Sequence, residues 1–181
     1  MKSYLLGCLA TPDRELGFEK KFNNVGVNHM ENNTNRKKIL VIHGPNLNLL
    51  GKREPDIYGH QTLDGINAKL KARGEELDLS VETFQSNHEG DIVEKIQQAP
   101  GTFHGVLINP AAFTHTSIAI RDALSMLNML MIEIHLTNIY KRETFRHVSM
   151  ISDIVTGRIS GFGHHGYLLA LDGLAQMLSS S

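Results

Sequence analysis

Arg53 and Tyr58 lie five residues apart in the stretch LGKREPDIYGH at 50–60, flanked by Gly51 and Gly59. A guanidinium beside a phenol favours phenolate and lowers a pKa that is otherwise about 10, so Tyr58 could serve as a general base. Spacing alone leaves a second reading open, in which both are ordinary solvated loop residues. Three other stretches concentrate hydrogen-bonding side chains: HGPNLN at 43–48, NPAAFTHTS at 109–117 and EIHLTN at 133–138. Core packing gives no reason to group so many Asn, His, Thr and Ser residues, because each costs free energy when buried without a partner. Several chemistries drop out. None of the ten histidines forms an H-x-x-x-H pair, and the only cysteine is Cys8, so no metal site is expected. Neither glycine-rich phosphate loop occurs, Gly161-Phe162-Gly163 lacks a third glycine at the right offset, and there is no G-x-S-x-G elbow. No lysine falls at a strand end to form an imine.

These groups need a scaffold, and the hydropathy pattern supplies one. Ile39-Leu40-Val41-Ile42 is a short continuous apolar run, as expected of a parallel strand buried on both faces. Thr62 caps a helix with Leu63, Ile66 and Leu70 on one face, and Gly74 is its expected stop. A strand follows over 79–85, a helix over 91–99, a strand over 106–108, a helix starting at Thr116 or Ser117, and a strand over 130–135. The weakest strand pattern, 157–161, precedes an apolar closing helix over 167–178. Alternation of this kind predicts a flavodoxin-like, doubly wound α/β fold: a five-stranded parallel sheet with helices on both faces. Ligands of such sheets bind beyond the carboxyl ends of the strands where the strand order reverses, here between strands one and three. The 50–60 loop is longer than the 2–6 residues that usually join a strand to a helix, which suits a lid.

The chain has 181 residues with 41% hydrophobic and 20% charged, which suits one globular domain and excludes disordered and disulfide-scaffold classes. No apolar run reaches the roughly 18–20 residues of a membrane helix, so no membrane partner is expected. Residues 1–38 carry seven Lys/Arg against four acids, and the remainder is mildly acidic, with 11 basic and 15 acidic residues. That body is a poor nucleic-acid binder. Residues 1–37 hold Pro12 and six asparagines between 23 and 35 and no persistent apolar stripe, so they read as a flexible leader before a folded domain at 38–181. Leu5-Leu6-Gly7-Cys8 faintly resembles a lipoprotein signal, but initiation at Met30 explains the composition more simply. A single cysteine fits a reducing compartment, and a cytoplasmic location is expected.

The segments GPNLNLLGKREPDIYG at 44–59, FQSNHEGDIVEKI at 84–96, NPAAFTHTSIAIRDAL at 109–124, EIHLTNIYKRETFRH at 133–147 and GFGHHGYLLAL at 161–171 closely resemble the type II 3-dehydroquinate dehydratases. The resemblance spans 38–178, in the family's order. It implies loss of water from 3-dehydroquinate to give 3-dehydroshikimate, the third step of the shikimate pathway, by anti elimination through an enolate and without metal, imine or cofactor. Tyr58 then corresponds to the base that removes the proton alpha to the ketone, and Arg53 to the residue that activates it. His135 corresponds to the acid that protonates the departing hydroxyl, Glu133 to the carboxylate that orients that histidine, and Asn46 to the residue that positions a water at the enolate oxygen. Substrate binding would fall to Asn109, His115, the backbone at Leu136 and Thr137, and Arg146. The family is dodecameric, built from trimers, and Asp122 matches a position that reaches a neighbouring subunit's site. Ala111, where many members have glycine, is expected to be harmless as long as the backbone there needs no positive φ. A competing class is a flavin or phospho-relay binding module on the same fold. Against it stand the missing hydroxyl-rich cradle, the absence of Trp, and Asn109 where a phospho-acceptor Asp would be wanted.

Overall fold

A computed structural model describes residues 36–52 and 61–180. The leader expected at 1–37 therefore lies outside the described residues except at its end, as do Arg53 and Tyr58. The fold takes in Arg36, which pairs with Asp78 at 2.9 Å, and begins its first strand at Lys37.

Five strands, β1 (Lys37–His43), β2 (Leu79–Gln85), β3 (Gly105–Asn109), β4 (Leu130–His135) and β5 (Gly157–Ser160), form one parallel sheet in the order β2-β1-β3-β4-β5. This is the flavodoxin-like order, with its switch point between β1 and β3. Among the described residues four α-helices cover the sheet: α1 (Leu63–Glu76), α2 (Glu89–Gln97), α3 (Ile118–Ser125) and α4 (His165–Ser179). Alternation along β1 splits the core. Ile39 and Val41 pack with Leu63, Ile66 and Leu70 of α1 and with Ala170, Leu171 and Leu174 of α4. Leu40 and Ile42 face the other way, onto Ile92 and Ile96 of α2 and Ile120 and Leu124 of α3. Each fully buried Leu or Ile contributes about 1.5–3 kcal/mol, so the two layers clamp the sheet from both sides and fix its strand ends. Among the described residues no helix is long and apolar enough to cross a membrane.

The caps follow the sequence. Thr62 accepts from the Gly65 N–H at 3.1 Å, and Ser117, not Thr116, accepts from the Ile120 N–H at 2.9 Å. The expected stop at Gly74 is wrong. Helix α1 runs on to Glu76, and Gly74 is buried against β2, where a Cβ would meet Val81 Cγ2 at 2.6 Å. Glycine there permits close helix-to-strand approach; the reversal falls instead at Asp78, whose φ is 55°. Helix α2 begins at Glu89 rather than 91, and α4 at His165 rather than 167.

Candidate active site

The sheet register brings the polar strand ends together. His43 ends β1 directly beside Asn109, which ends β3, and Glu133 of β4 lies beside Ile108. The first two loops touch at their backbones: the Gly44 N–H donates to the Asn109 carbonyl at 2.8 Å, and a Cβ on Gly44 would fall 2.3 Å from the Pro110 oxygen. Only glycine fits. Beyond it, Asn46 adopts φ 65° and its N–H donates to Asn87 Oδ1 at 2.8 Å, which ties this loop to the end of β2. Asparagine tolerates that left-handed conformation better than most residues.

A cleft open to solvent at its mouth lies over these ends. It is lined by Asn46, Asn109, His115, Leu136, Thr137 and Arg146, together with Arg142 and Ala111 among others. Six of the residues expected to meet the substrate or the enolate thus converge. His115 donates from Nδ1 to the Val148 carbonyl at 2.7 Å, which fixes its tautomer when neutral. Its pKa is held below the ordinary histidine value, first by burial, and also by the charges of His135 and Arg146 against the opposing pull of the Val148 carbonyl and Glu133. Arg146 is anchored by Glu143 at 2.9 Å. Leu136 presents its carbonyl to the Gly163 N–H at 2.8 Å.

Glu133 and His135 do not line the cleft themselves; they are buried beside it. Two residues apart on β4, they point to the same sheet face, and His135 Nε2 meets Glu133 Oε1 at 2.6 Å. Ser149, which the sequence reading did not single out, donates to the same oxygen at 2.8 Å. Glu133 is fully buried, and its Oε2 has no hydrogen-bond partner among the described residues. Isolated carboxylates are costly to bury, so the imidazole and the hydroxyl are what make this placement tenable. The arrangement orients the ring through Nε2 and leaves Nδ1 as the ring nitrogen that can take up or release a second proton. Asp122 sits exposed on α3 and is not part of the cleft wall.

Ala111 departs from expectation. Its φ is 53°, in the left-handed region, so the condition under which alanine would be harmless is not met. Also unforeseen is a buried chain under the cleft floor. Tyr167 is fully buried and lies 2.9 Å from His43 Nδ1 and 3.1 Å from Asn109 Nδ2, while His43 Nε2 lies 2.9 Å from Asn67 Oδ1. Period-two alternation could have placed His43 on the α1 and α4 face with Ile39 and Val41. Nothing in the sequence paired it with Tyr167.

The switch-point cleft, its neutral donors and the buried carboxylate–imidazole pair define a flavodoxin-like α/β protein with a small-ligand site suited to proton transfer. Residues 37–175 match the family described as dehydroquinase class II, and the chain belongs to that family. A 3-dehydroquinate dehydratase of Acaryochloris marina is 55% identical over 145 residues, covering 80% of this chain and 97% of that protein. One from Nitrosomonas eutropha is 57% identical over 135 residues, covering 74% and 93%. Among solved structures, the type II dehydroquinase from Propionibacterium acnes is 50% identical with a TM-score of 0.75, covering 77% of this chain and 97% of that one. Family membership decides against the flavin or phospho-relay module.

Proposed function

We propose that this protein is a 3-dehydroquinate dehydratase, a hydro-lyase of the shikimate pathway that removes water from 3-dehydroquinate to leave 3-dehydroshikimate. The observation that carries the reading is the Glu133–His135 pair at 2.6 Å, at the end of the strand whose continuation, Leu136 and Thr137, lines the cleft. Removing water from a β-hydroxy ketone needs a base at the carbon alpha to the carbonyl and an acid at the hydroxyl. Tyr58, activated by Arg53, takes the proton; His135 delivers one to the leaving oxygen from Nδ1, with Glu133 orienting the ring and compensating its charge. Negative charge builds on the ketone oxygen, where a water held by Asn46 donates to it; preorganised donors of this kind contribute several kcal/mol. Asn109, His115, Arg146 and the backbone N–H groups of Leu136 and Thr137 hold the hydroxyls and carboxylate. The base and the acid act on opposite faces, which gives anti elimination. No cofactor is required.

Assembly belongs to the same reading. The chain forms a dodecamer of trimers in which Asp122 reaches the neighbouring site, a role supported by its exposure on α3 away from its own cleft. Ile118, Phe145 and Val148, each 60–65% exposed, supply apolar surface for such contacts. The residues before Arg36 act as a leader to the catalytic domain, and the enzyme works in the cytoplasm.

Purified protein mixed with 3-dehydroquinate should show the ultraviolet rise of a conjugated enone, unaffected by chelators. Borohydride added with substrate should neither inactivate nor label it, because no lysine imine forms. Absence of the rise, or covalent labelling, would contradict the proposal.

A further inference from the structure

We propose that Tyr167 and His43 are positioning residues for Asn109, their one-way hydrogen-bond chain fixing which end of the Asn109 amide the cleft presents to the ligand. The inference rests on the reading of Asn109 as a substrate ligand. The direction of the chain follows from a group that can only donate. The Ala111 N–H lies 3.2 Å from Asn109 Oδ1, so this oxygen accepts and the amide is not free to flip. The NH₂ end therefore faces Tyr167 at 3.1 Å and donates to its oxygen. With that oxygen accepting, the phenolic hydrogen goes to His43 Nδ1 at 2.9 Å, which must be unprotonated. The ring proton then sits on Nε2 and donates to Asn67 Oδ1 at 2.9 Å. Four bonds run one way, and no donor faces a donor. Burial pushes the His43 pKa down to about 4 against the Asn67 bond, and pushes the Tyr167 phenol up, so the imidazole stays neutral and the phenol keeps its hydrogen near neutral pH. Among the described residues Asn109 keeps one N–H and one lone pair of Oδ1 without a partner, a fixed donor–acceptor pair matched to a ligand hydroxyl.

The consequence is a KM effect transmitted from beneath the floor. Asn109→Ala should raise KM for 3-dehydroquinate about tenfold or more, the ordinary cost of one lost hydrogen bond in a closed site. Tyr167→Phe, which keeps the packed ring, should raise KM roughly fivefold to tenfold with kcat within about threefold. On the Asn109→Ala background, Tyr167→Phe should change KM by less than about twofold, because its effect passes through Asn109. Unchanged KM for Asn109→Ala would overturn the reading of Asn109 as a ligand. A raised KM there with an unchanged KM for Tyr167→Phe, or KM effects that multiply in the double variant, would overturn the positioning role alone. A purely structural tyrosine would lower the melting temperature and leave KM untouched. Should Tyr167→Phe not fold, the His43 variants carry the test. His43→Leu should raise KM about fivefold, and His43→Asn, whose Oδ1 can accept from Tyr167, should restore it to within about twofold; equal KM values for the two would overturn the inference.

Discussion

His43 couples the proton chemistry of one buried residue to the stability of the whole fold. Its folded pKa is about 4 against an ordinary 6.5, lowered by burial. Between those values the unfolded chain binds the proton and the folded chain does not, so stability is full above pH 6.5 and falls as pH drops through the window. The loss at its lower end is about 3 kcal/mol. Chemical denaturation at a series of pH values should show this slope, and the difference between wild type and His43→Asn should isolate it; a constant difference from pH 7 to 4 would remove His43 as its source. Ala111 makes a second residue-scale prediction. The left-handed strain of about 1–2 kcal/mol at an L-residue exceeds the roughly 0.5–1 kcal/mol of chain entropy that glycine adds, so Ala111→Gly should gain about 0.5–1 kcal/mol. Thermal melting checks it, with a rise of about 2 °C expected. At this scale motif position singled out Asn46, Asn109 and His115, which line the cleft, and His135, which lies buried beside it. It did not reveal Tyr167 or Asn67, because their hydrogen bonds to His43 span 124 and 24 positions and exist only once α1 and α4 pack on the same sheet face. Arg53 and Tyr58 stand out by type and spacing, but their roles come from the resemblance, and both lie outside the described residues.

At the scale of elements, apolar runs and caps were enough to order the chain. Four-residue and six-residue runs such as Ile39–Ile42 and 130–135 cannot form amphipathic helices of useful length, and Thr62 and Ser117 accept the N–H groups that open helices. Gly74 misled because a glycine that allows close packing looks, in sequence, like one that ends a helix. Gly44 is the converse case, a glycine whose necessity appears only when β1 and β3 lie side by side. Gly44→Ala would drive a Cβ into the Pro110 carbonyl, which cannot move without shifting Asn109 and Ala111. The expected result is a loss of about 3 kcal/mol in urea denaturation together with a raised KM. A variant as stable and as active as wild type would show that the two loops do not need their close contact.

At the scale of the molecule, the sheet order puts the site at one edge of a domain whose own cleft does not include Asp122. If Asp122 serves a neighbour, chains carrying Asp122→Ala and chains carrying Tyr58→Phe, each impaired alone, should recover activity when co-assembled. Random mixing restores about a quarter of the sites. No recovery in verified mixed oligomers would confine Asp122 to its own subunit. Parallel topology and switch-point location were legible from the alternation of elements; the proposed assembly came from the resemblance alone, because exposed Ile118, Phe145 and Val148 have no periodic signature that separates a subunit contact from ordinary surface. The proposed reaction turns on one residue. Enone formation from 3-dehydroquinate should fall by at least about a thousandfold in Tyr58→Phe, within the range expected for loss of a general base, while its melting temperature and oligomeric mass match wild type. Turnover retained within tenfold in that folded, assembled variant would contradict a tyrosine base and, with it, the proposed mechanism.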